Sequence, residues 1–246
     1  MNITSNYKFT VIIPIYNEED NLSRLEQEMS AFVSQASVKS CVLLVNDGST
    51  DKSLEYIRQI CARQEHFHYL SFVRNCGLSA AMKAGIDYAE SDYVGYIDGD
   101  LQTSPMDFNL LLAEAPDYEL VTGIRVGRKD TVWKRMQSRF ANGFRRMMTG
   151  DDAQDTGCPL KVMHTSNAKL IPFFKGMHRF LPALMLLQDG KVKQIPVQHF
   201  PRKAGVSKFS MRNRFWGPLA DCFAYRWMKP RYIRYQVGEQ SVIANQ

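Results

Sequence analysis

Apolar runs and polar stretches alternate through the first hundred residues of the chain. Short apolar runs rich in β-branched residues are typical of buried strands, and polar residues such as Asn17 mark the starts of helices. Strands that alternate with helices in this way predict a parallel sheet with helices on both faces. The predicted strands are Phe9 to Ile15, Cys41 to Val45, His68 to Val73 and Tyr93 to Ile97, and the predicted helices run from the cap Asn17 to about Ser34, from Lys52 to Arg63 and from Ser79 to Ala89.

The second half of the chain is less regular. We find no internal repeat, linker or low-complexity stretch, so the sequence predicts one α/β domain, residues 1–209, followed by an amphipathic C-terminal extension, residues 210–246. The predicted elements here are a helix capped by Ser104-Pro105, the strands Glu119 to Gly123 and Lys191 to Val197, a long basic helix from Thr131 to Met148, and a helix that Gly217-Pro218 breaks or restarts and that carries Trp216, Ala220, Phe223 and Trp227 on one face.

Composition restricts the class of protein. Of 246 residues, 45% are apolar and 23% are charged, which excludes a disordered chain. No apolar stretch approaches the roughly 18–20 residues that span a bilayer, and the N-terminus lacks a signal-peptide pattern, so we expect no transmembrane helix. Five scattered cysteines without CxxC spacing argue against a disulfide framework or a zinc site and favour a reducing cytosol.

The net charge of +6 is distributed unevenly. Residues 125–146 carry eight basic side chains and one acid, and residues 202–235 carry nine basic side chains and one acid. The rest of the chain is therefore acidic. An acidic body with two basic segments indicates an anionic partner at a defined place. Nucleic acid, an anionic membrane surface and a phosphorylated substrate all satisfy this pattern.

Acidic side chains follow three of the predicted strands. Ligands of open parallel sheets bind outside the carboxyl ends of the strands, where Glu18, Asp47, Asp98 and Asp100 are expected to converge. Each acid can also be read as a cap of a helix or turn. That reading is poor for Asp98 and Asp100, because two carboxylates that flank a glycine repel one another unless a cation lies between them. Oxygen ligands of this kind suit Mg²⁺ or Mn²⁺.

The turn after the first predicted strand argues against common nucleotide-binding patterns. A dehydrogenase needs G-x-G-x-x-G at this point, whereas the chain reads IPIYNEED, and a P-loop is absent as well. A pyrophosphate placed there without a metal meets acidic side chains. If a nucleotide binds, a metal held by the D-x-D sequence must therefore neutralise its phosphates.

Five motifs then occur together: VIIPIYNEEDNL, VNDGSTD, YIDGDLQ, TGIR and PRKAGVSKF. Over residues 9–208 they resemble family 2 glycosyltransferases with the GT-A fold, in particular polyprenyl-phosphate sugar transferases of the dolichyl-phosphate mannosyltransferase and bactoprenol glucosyltransferase type. The resemblance implies a GT-A fold and an inverting transfer of sugar from a UDP- or GDP-linked donor. It implies a metal, Mg²⁺ or Mn²⁺, held by Asp98, Asp100 and Gln102, and a donor site formed by those three residues with Pro14, Tyr16, Glu18, Val45, Asp47, Gly99, Arg202 and Lys208.

The same resemblance suggests residues for catalysis. Arg125 matches the arginine of the family's G-x-R motif. Asp155 is either a base for a hydroxyl acceptor or an orienting carboxylate bonded to a basic neighbour. Where several relatives have arginine after D-x-G, this chain has Lys161, which cannot make the planar two-point contact of arginine.

The predicted basic helix favours a phosphate acceptor. Lys134 and Ser138 lie four residues apart, with Arg135 beside them, and resemble the family's R-x-x-x-S. Together with Arg125 they form the predicted acceptor-phosphate site, since charge and hydroxyl donation suit a phosphate. A solvated surface helix is the alternative reading.

The C-terminal segment interleaves aromatic residues with Arg226, Lys229, Arg231 and Arg234. This combination fits an interfacial helix on anionic headgroups, and the alternative is a helix packed on the core with a basic tail. We therefore expect a cytoplasmic protein that is peripheral at the inner face of the membrane. A separate membrane protein is a further candidate partner, whereas nucleic acid is not expected because RNA-binding signatures are absent.

Three classes of function remain open. The first is an enzyme that makes a polyprenyl-phosphate sugar, and the second an enzyme of the same fold that transfers sugar to a saccharide hydroxyl for a surface polysaccharide of the cell envelope. The third is a non-catalytic membrane adaptor or nucleic-acid binder that uses only the basic segments. The Asp98 and Asp100 pair and the motif with Arg202 and Lys208 argue against the third. The basic, aromatic C-terminal segment favours the first over the second.

Overall fold

The structure, a computed structural model, describes residues 3–126, 142–201, 211–233 and 239, with only the backbone for residues 3, 211–216 and 218. The strands are β1 Phe9–Ile15, β2 Ser40–Asn46, β3 Phe67–Ser71, β4 Tyr93–Tyr96, β5 Leu120–Arg125, β6 Lys161–His164 and β7 Val192–Val197. The α-helices are α1 Leu22–Gln35, α2 Ser53–Arg63, α3 Leu78–Tyr88, α4 Phe108–Glu114, α5 142–149, α6 Thr165–Leu170, α7 Leu181–Leu186 and α8 Met211–Met228.

The seven strands form one sheet in the order β3-β2-β1-β4-β6-β5-β7. The pairs among β1 to β4 are parallel, as the sequence predicts, and β7 lies parallel to β5. Strand β6 runs antiparallel to both of its neighbours, with Lys161 opposite Tyr96 of β4 and opposite Thr122 of β5. This strand inserts between two parallel groups and brings the second half of the chain against the end of β4.

Two apolar cores cover the two faces of the sheet. Alternate side chains of β1 point to opposite faces, so that Ile13 packs with the buried faces of α1, α2 and α4, whereas Ile12 packs with α3, α6 and α7. Helix α8 joins the second core through Cys222 and Tyr225, and the Tyr225 hydroxyl donates to the Ala183 carbonyl at 3.0 Å. The prediction of helices on both faces is confirmed.

Two sequence predictions about helix ends are wrong. Asn17 does not cap α1, which begins at Leu22; its own backbone N–H donates to Ser49 Oγ at 3.0 Å and its side chain accepts from the Thr50 N–H at 2.8 Å. Asn17 is therefore bonded to the loop after β2 and not to the first turn of α1, and the helix begins five residues later, at Leu22. Gly217-Pro218 does not break α8. Proline removes one backbone N–H from the helix, and the buried anchors on α8 offset that loss.

Strand β6 and the short helices α6 and α7 were not among the predicted elements. Residues 131–141 of the predicted basic helix lie outside the described residues, and its last turns are seen as the helix α5, 142–149. Within those turns Arg145 is buried and paired with Asp151 at 2.7 Å. This basic side chain is therefore neutralised inside the protein and does not add to a basic surface.

Candidate active site

The carboxyl ends of β1, β2 and β4 lie side by side, because β1 is flanked by the other two strands. The acidic turns VNDG and YIDGD follow β2 and β4 and therefore meet at the same edge of the sheet. This placement is the one that the sequence predicts for a ligand site in an open parallel sheet.

The Asp47 carboxylate holds the loop that leads into α3. It accepts from the Cys76 N–H at 2.6 Å, from the Gly77 N–H at 2.9 Å and from Asn75 Nδ2 at 3.0 Å. Asp47 is buried, and these bonds occupy most of the roughly four lone-pair sites of a carboxylate. In this structure Asp47 therefore positions the loop, and its predicted contact with a nucleotide base stays a prediction.

Other predicted donor residues lie around the same edge. Pro14, Tyr16 and Glu18 are half-buried at the end of β1, where Glu18 accepts from Asn21 Nδ2 at 2.6 Å. Val45 is fully buried and its side chain belongs to the core, so its predicted contact with the donor stays a prediction. Tyr16 and Glu18 are thus placed beside the two acidic turns, as expected of residues that would hold a nucleoside.

The second acidic turn is held by its neighbours. Asp98, partly buried, accepts a short hydrogen bond from the Tyr96 hydroxyl, and the Gln102 backbone N–H donates to Asp100 Oδ1 at 3.3 Å. From α1, Arg24 reaches across to donate to the carbonyl oxygens of Asp100, at 3.4 Å, and of Leu101, at 3.1 Å. The positive φ of Leu101, 47°, marks the tight bend that follows.

The two carboxylates fit a divalent cation. Burial raises the pKa of Asp98 above its usual value, and the Asp100 carboxylate adds to the rise. The Tyr96 hydroxyl, Lys161 and Arg125 oppose this rise without cancelling it. A bound cation would favour the ionised forms of both acids and so remove the cost of bringing them together. In the described part of the chain, no cluster of three or more His, Cys, Asp or Glu side chains is placed to bind a metal.

Arg125 and Asp155 form an ion pair at the end of β5. The Arg125 Nε and Nη2 atoms donate to the two carboxylate oxygens of Asp155, each at 2.8 Å, and the Arg125 backbone N–H donates at 3.2 Å. A Cβ on Gly157 would lie 2.9 Å from Arg125 Nη2, so glycine allows this close approach. Of the two readings of Asp155, this geometry is that of the orienting carboxylate.

Two functional candidates were missed or undervalued from the sequence. Lys161 is only 1% exposed at the start of β6, donates to the Cys158 carbonyl, and acts electrostatically on Asp98 and Asp155. Burial lowers the pKa of Lys161, and the nearby acids counter that effect. Tyr96, whose hydroxyl orients Asp98, reads in the sequence as an ordinary strand residue. Only the pairing of β4 with β6 brings Tyr96 and Lys161 together.

Five predicted site residues lie outside the described residues. They are the proposed diphosphate contacts Arg202 and Lys208 and the proposed acceptor contacts Lys134, Arg135 and Ser138. The described range 142–201 ends just before Arg202, and near its end the Phe200 N–H donates to the Gln102 carbonyl at 2.8 Å. The chain that leads to Arg202 thus passes next to the turn of Asp98 and Asp100.

The chain belongs to Glycosyl transferase family 2, whose family model matches residues 10–173. A dodecaprenyl-phosphate galacturonate synthase of Rhizobium johnstonii is 32% identical over 214 residues, which cover 85% of this chain and 63% of that protein. An undecaprenyl-phosphate 4-deoxy-4-formamido-L-arabinose transferase of Edwardsiella ictaluri is 32% identical over 204 residues, with coverage of 82% and 63%. The chain therefore spans less than two thirds of the length of these relatives.

Solved structures show the same fold. Glucosyl-3-phosphoglycerate synthase from Mycobacterium tuberculosis, in complex with phosphoglyceric acid, has a TM-score of 0.66 at 15% identity over 96% of this chain and 85% of that one. The same synthase in complex with Mn²⁺ and UDP-glucose has a TM-score of 0.63 at 16% identity, over 96% and 84%. The predicted GT-A fold is confirmed. Among the described residues, no helix is both long and apolar enough to cross a membrane.

Proposed function

We propose that this chain transfers a sugar, with inversion, from a UDP- or GDP-linked donor to a polyprenyl phosphate at the cytosolic face of a membrane. The observation that carries the choice of acceptor is the two-point ion pair between Asp155 and Arg125. A saccharide hydroxyl is a weak nucleophile that needs a carboxylate base. A phosphate monoester is largely ionised at neutral pH and needs positioning instead. An Asp155 committed to Arg125 therefore suits a phosphate acceptor.

The donor is handled by the edge formed by β1, β2 and β4. Tyr16 offers a stacking face and Glu18 an acceptor for base N–H groups, while Asp47 shapes the loop beside them. Asp98 and Asp100, with Gln102, would hold Mg²⁺ or Mn²⁺, which supplies positive charge opposite a diphosphate leaving group. The relatives named above act on prenyl phosphates, and that supports the acceptor class.

Residue roles beyond this edge follow the sequence motifs. Arg202 and Lys208 would contact the donor diphosphate, and the sequence motifs suggest Lys134, Arg135 and Ser138 as one candidate site for the acceptor phosphate. Arg125 would act through Asp155 by keeping its carboxylate oriented. Lys161 is buried and acts electrostatically on Asp98 and Asp155.

Helix α8 supports a membrane-facing orientation. Cys222 and Tyr225 anchor one face in the core, whereas Phe223 and Trp227 are exposed on the other, Trp227 by 63%. Arg231 stacks over the Trp227 ring at 4.9 Å. The helix thus packs on the core, and its exposed aromatic and basic side chains support the reading of an interfacial helix. We infer that residues 210–246 form the extension that contacts anionic lipid.

A transfer screen tests the proposal. Purified full chain is incubated with several UDP- and GDP-sugars and Mn²⁺, with a polyprenyl phosphate, a polyprenol or an oligosaccharide as acceptor, and glycolipid and free nucleotide are measured. We expect transfer to the polyprenyl phosphate alone. Transfer to the oligosaccharide but not to the prenyl phosphate would favour the saccharide-hydroxyl function, and binding of lipid without use of any donor would favour the adaptor.

Cosedimentation with vesicles tests the membrane contact. We expect binding to anionic vesicles that weakens with salt, since each cation near the surface contributes roughly 1 kcal/mol. The double variant Phe223→Ser/Trp227→Ser should lose most of this binding. Leu110→Ser, which changes an exposed leucine on α4, is the matched control. Equal binding by the double variant and the control would show that another segment makes the contact.

A further inference from the structure

A cavity of about 1080 Å³ lies between the start of α3, the segment 173–179 and α8. Ligand pockets typically have volumes of about 300–1,000 Å³, so this cavity can hold a whole small-molecule substrate. It is separate from the acidic turns, and no residue predicted from the sequence as a ligand contact lines it. Its function is therefore not explained by the donor site.

The cavity adjoins the candidate active site through the loop before α3. Cys76 and Gly77, which line the cavity, donate their backbone N–H groups to Asp47. Ser79 Oγ, near the start of α3, lies 3.3 Å from His178 Nδ1 on the segment 173–179 and so joins two walls of the cavity. Burial lowers the pKa of His178 to about 3, and the positive charges of Arg179 and Lys161 add to this shift.

The chemistry of the walls is both apolar and cationic. Leu78, Phe173 and Phe174 provide apolar surface, and Lys83 Nζ lies 5.4 Å from the centre of the Phe173 ring. The charged side chains that line the cavity are Lys83, which is paired with Asp87, together with Lys175, Arg179 and one acid, Asp221. With Asp87 counted, three cations face two carboxylates, and this excess of positive charge favours an anion. The aromatic walls favour an anion that carries an apolar substituent.

Helix α8 links the cavity to the proposed membrane-facing surface. Gly217 and Asp221, four residues apart, line the cavity, whereas Phe223 and Trp227 are exposed on the same helix. A ligand that remains partly in the lipid can thus enter along α8 and reach the loop held by Asp47. A neutral, hydroxyl-rich sugar does not match two phenylalanines and three cations, but an amphiphilic phosphate does.

We propose that this cavity is the acceptor pocket, which takes the phosphate and the first prenyl units of a prenyl phosphate. The inference rests on the proposed function and deepens it by placing the acceptor. It also differs from the sequence prediction that puts the acceptor phosphate on Lys134, Arg135 and Ser138, so the two placements can be tested against each other.

Cys76 provides a readout that does not depend on catalysis. It is exposed and lines the cavity, whereas Cys41, Cys158 and Cys222 are buried and Cys61 is half-buried. The rate of alkylation by N-ethylmaleimide, followed by intact-protein mass, is measured with farnesyl phosphate, farnesol, inorganic phosphate or a UDP-sugar. A Cys76→Ser variant identifies the labelled site. We expect farnesyl phosphate alone to slow labelling about tenfold at ten times its half-protecting concentration, as simple occupancy requires.

Variants separate the two placements. The double variant Phe173→Ala/Lys83→Gln should raise the half-protecting concentration of farnesyl phosphate at least about tenfold, whereas Lys134→Gln/Ser138→Ala and the exposed control Lys169→Gln should leave it unchanged. Protection by the UDP-sugar but not by farnesyl phosphate would assign the cavity to the donor and overturn the proposal. Equal protection by farnesol would show that the phosphate group does not contribute to binding in the cavity, and would overturn the assignment of the cavity to a phosphate.

The transfer screen and the Cys76 labelling together show whether the pocket assignment or the proposed function fails. If glycolipid forms on a polyprenyl phosphate while Cys76 stays unprotected by farnesyl phosphate, the pocket assignment is wrong and the function stands. If no sugar reaches a prenyl phosphate but farnesyl phosphate still protects Cys76, the pocket stands and the proposed function is wrong.

Discussion

Two aspartate–glycine turns lie at the same edge of the sheet and differ in what surrounds their carboxylates. Asp47, before Gly48, receives hydrogen bonds from two backbone N–H groups and an amide. Asp98, before Gly99, is instead partly buried near the Asp100 carboxylate, and the Tyr96 hydroxyl donates a hydrogen bond to it. The same Asp-Gly dipeptide thus fixes a loop at Asp47, whereas at Asp98 it leaves a carboxylate whose negative charge is not balanced by backbone N–H donors. We therefore expect the cation, and with it the catalytic chemistry, at the second turn.

The largest effect is expected at the second turn. Asp100→Asn should lower turnover by about two to three orders of magnitude, because the leaving diphosphate would lose its metal, and excess EDTA should do the same to the unmodified protein. Turnover and Mn²⁺ binding are measured together. The free energy of unfolding should not fall, because one of two repelling acids is removed. Asp92→Asn, at an exposed acid, is the control; full turnover in excess EDTA would contradict the comparison.

The glycines of the two turns should respond differently to a methyl group. Gly48 has a φ of +64°, and a Cβ there would lie 2.5 Å from the Asn75 backbone nitrogen. At Gly99 the closest atom would be the end of the Ile15 side chain at 3.0 Å, which can shift. Gly48→Ala should therefore reduce the free energy of unfolding by about 2–4 kcal/mol, and Gly99→Ala by less. Urea unfolding measures both, and a larger loss for Gly99→Ala would reverse the comparison.

Replacing each aspartate by asparagine sharpens the contrast in stability. Asp47→Asn should lower the free energy of unfolding by about 1–3 kcal/mol, because an amide nitrogen would meet backbone N–H donors. Asp98→Asn should change it by less than about 1 kcal/mol, since the amide avoids repulsion from Asp100 and still has an oxygen for the Tyr96 hydroxyl. Both are measured by urea unfolding without metal. Equal losses in the two variants would mean that the turns are held in the same way.

The smallest effect is expected from Arg24, which holds the second turn from outside. Arg24→Gln removes the bonds to the carbonyls of Asp100 and Leu101. We expect the Mn²⁺ concentration for half-maximal activity to rise about two- to fivefold, which corresponds to up to about 1 kcal/mol, with little change in maximal turnover. Arg58→Gln, an exposed arginine on α2, should behave like the unmodified protein. A fall in maximal turnover alone would place Arg24 in another role.

The first half of the fold was predictable because its signals are local. Each apolar run from β1 to β4 is bounded by its own turn and followed by its own helix, so the sheet edge and the acids on it follow from the sequence. Strand β6, only four residues long, Lys161–His164, has no such pattern. This segment becomes a strand because it pairs with β4 and β5. The same pairing fixes the positions of Lys161 and of the ion pair between Asp155 and Arg125.

Site chemistry was predictable in kind but not in detail. Residue types and spacing indicate oxygen ligands at Asp98 and Asp100. They do not reveal that the Asp47 carboxylate is occupied by N–H groups about thirty residues away, nor that Arg125 and Asp155 satisfy each other. Those contacts arise from turns and strands that meet only in the folded sheet.

The antiparallel strand β6 also has a consequence for synthesis. On the ribosome, β1 to β4 emerge well before residues 161–164, and domains assemble as their segments become available. Until β6 arrives, β4 has one open edge whose N–H and C=O groups can pair with another chain. We therefore expect translation products that stop between β4 and β6 to aggregate. Lys161, the first residue of β6, comes close enough to act electrostatically on Asp98 only after β6 has paired with β4.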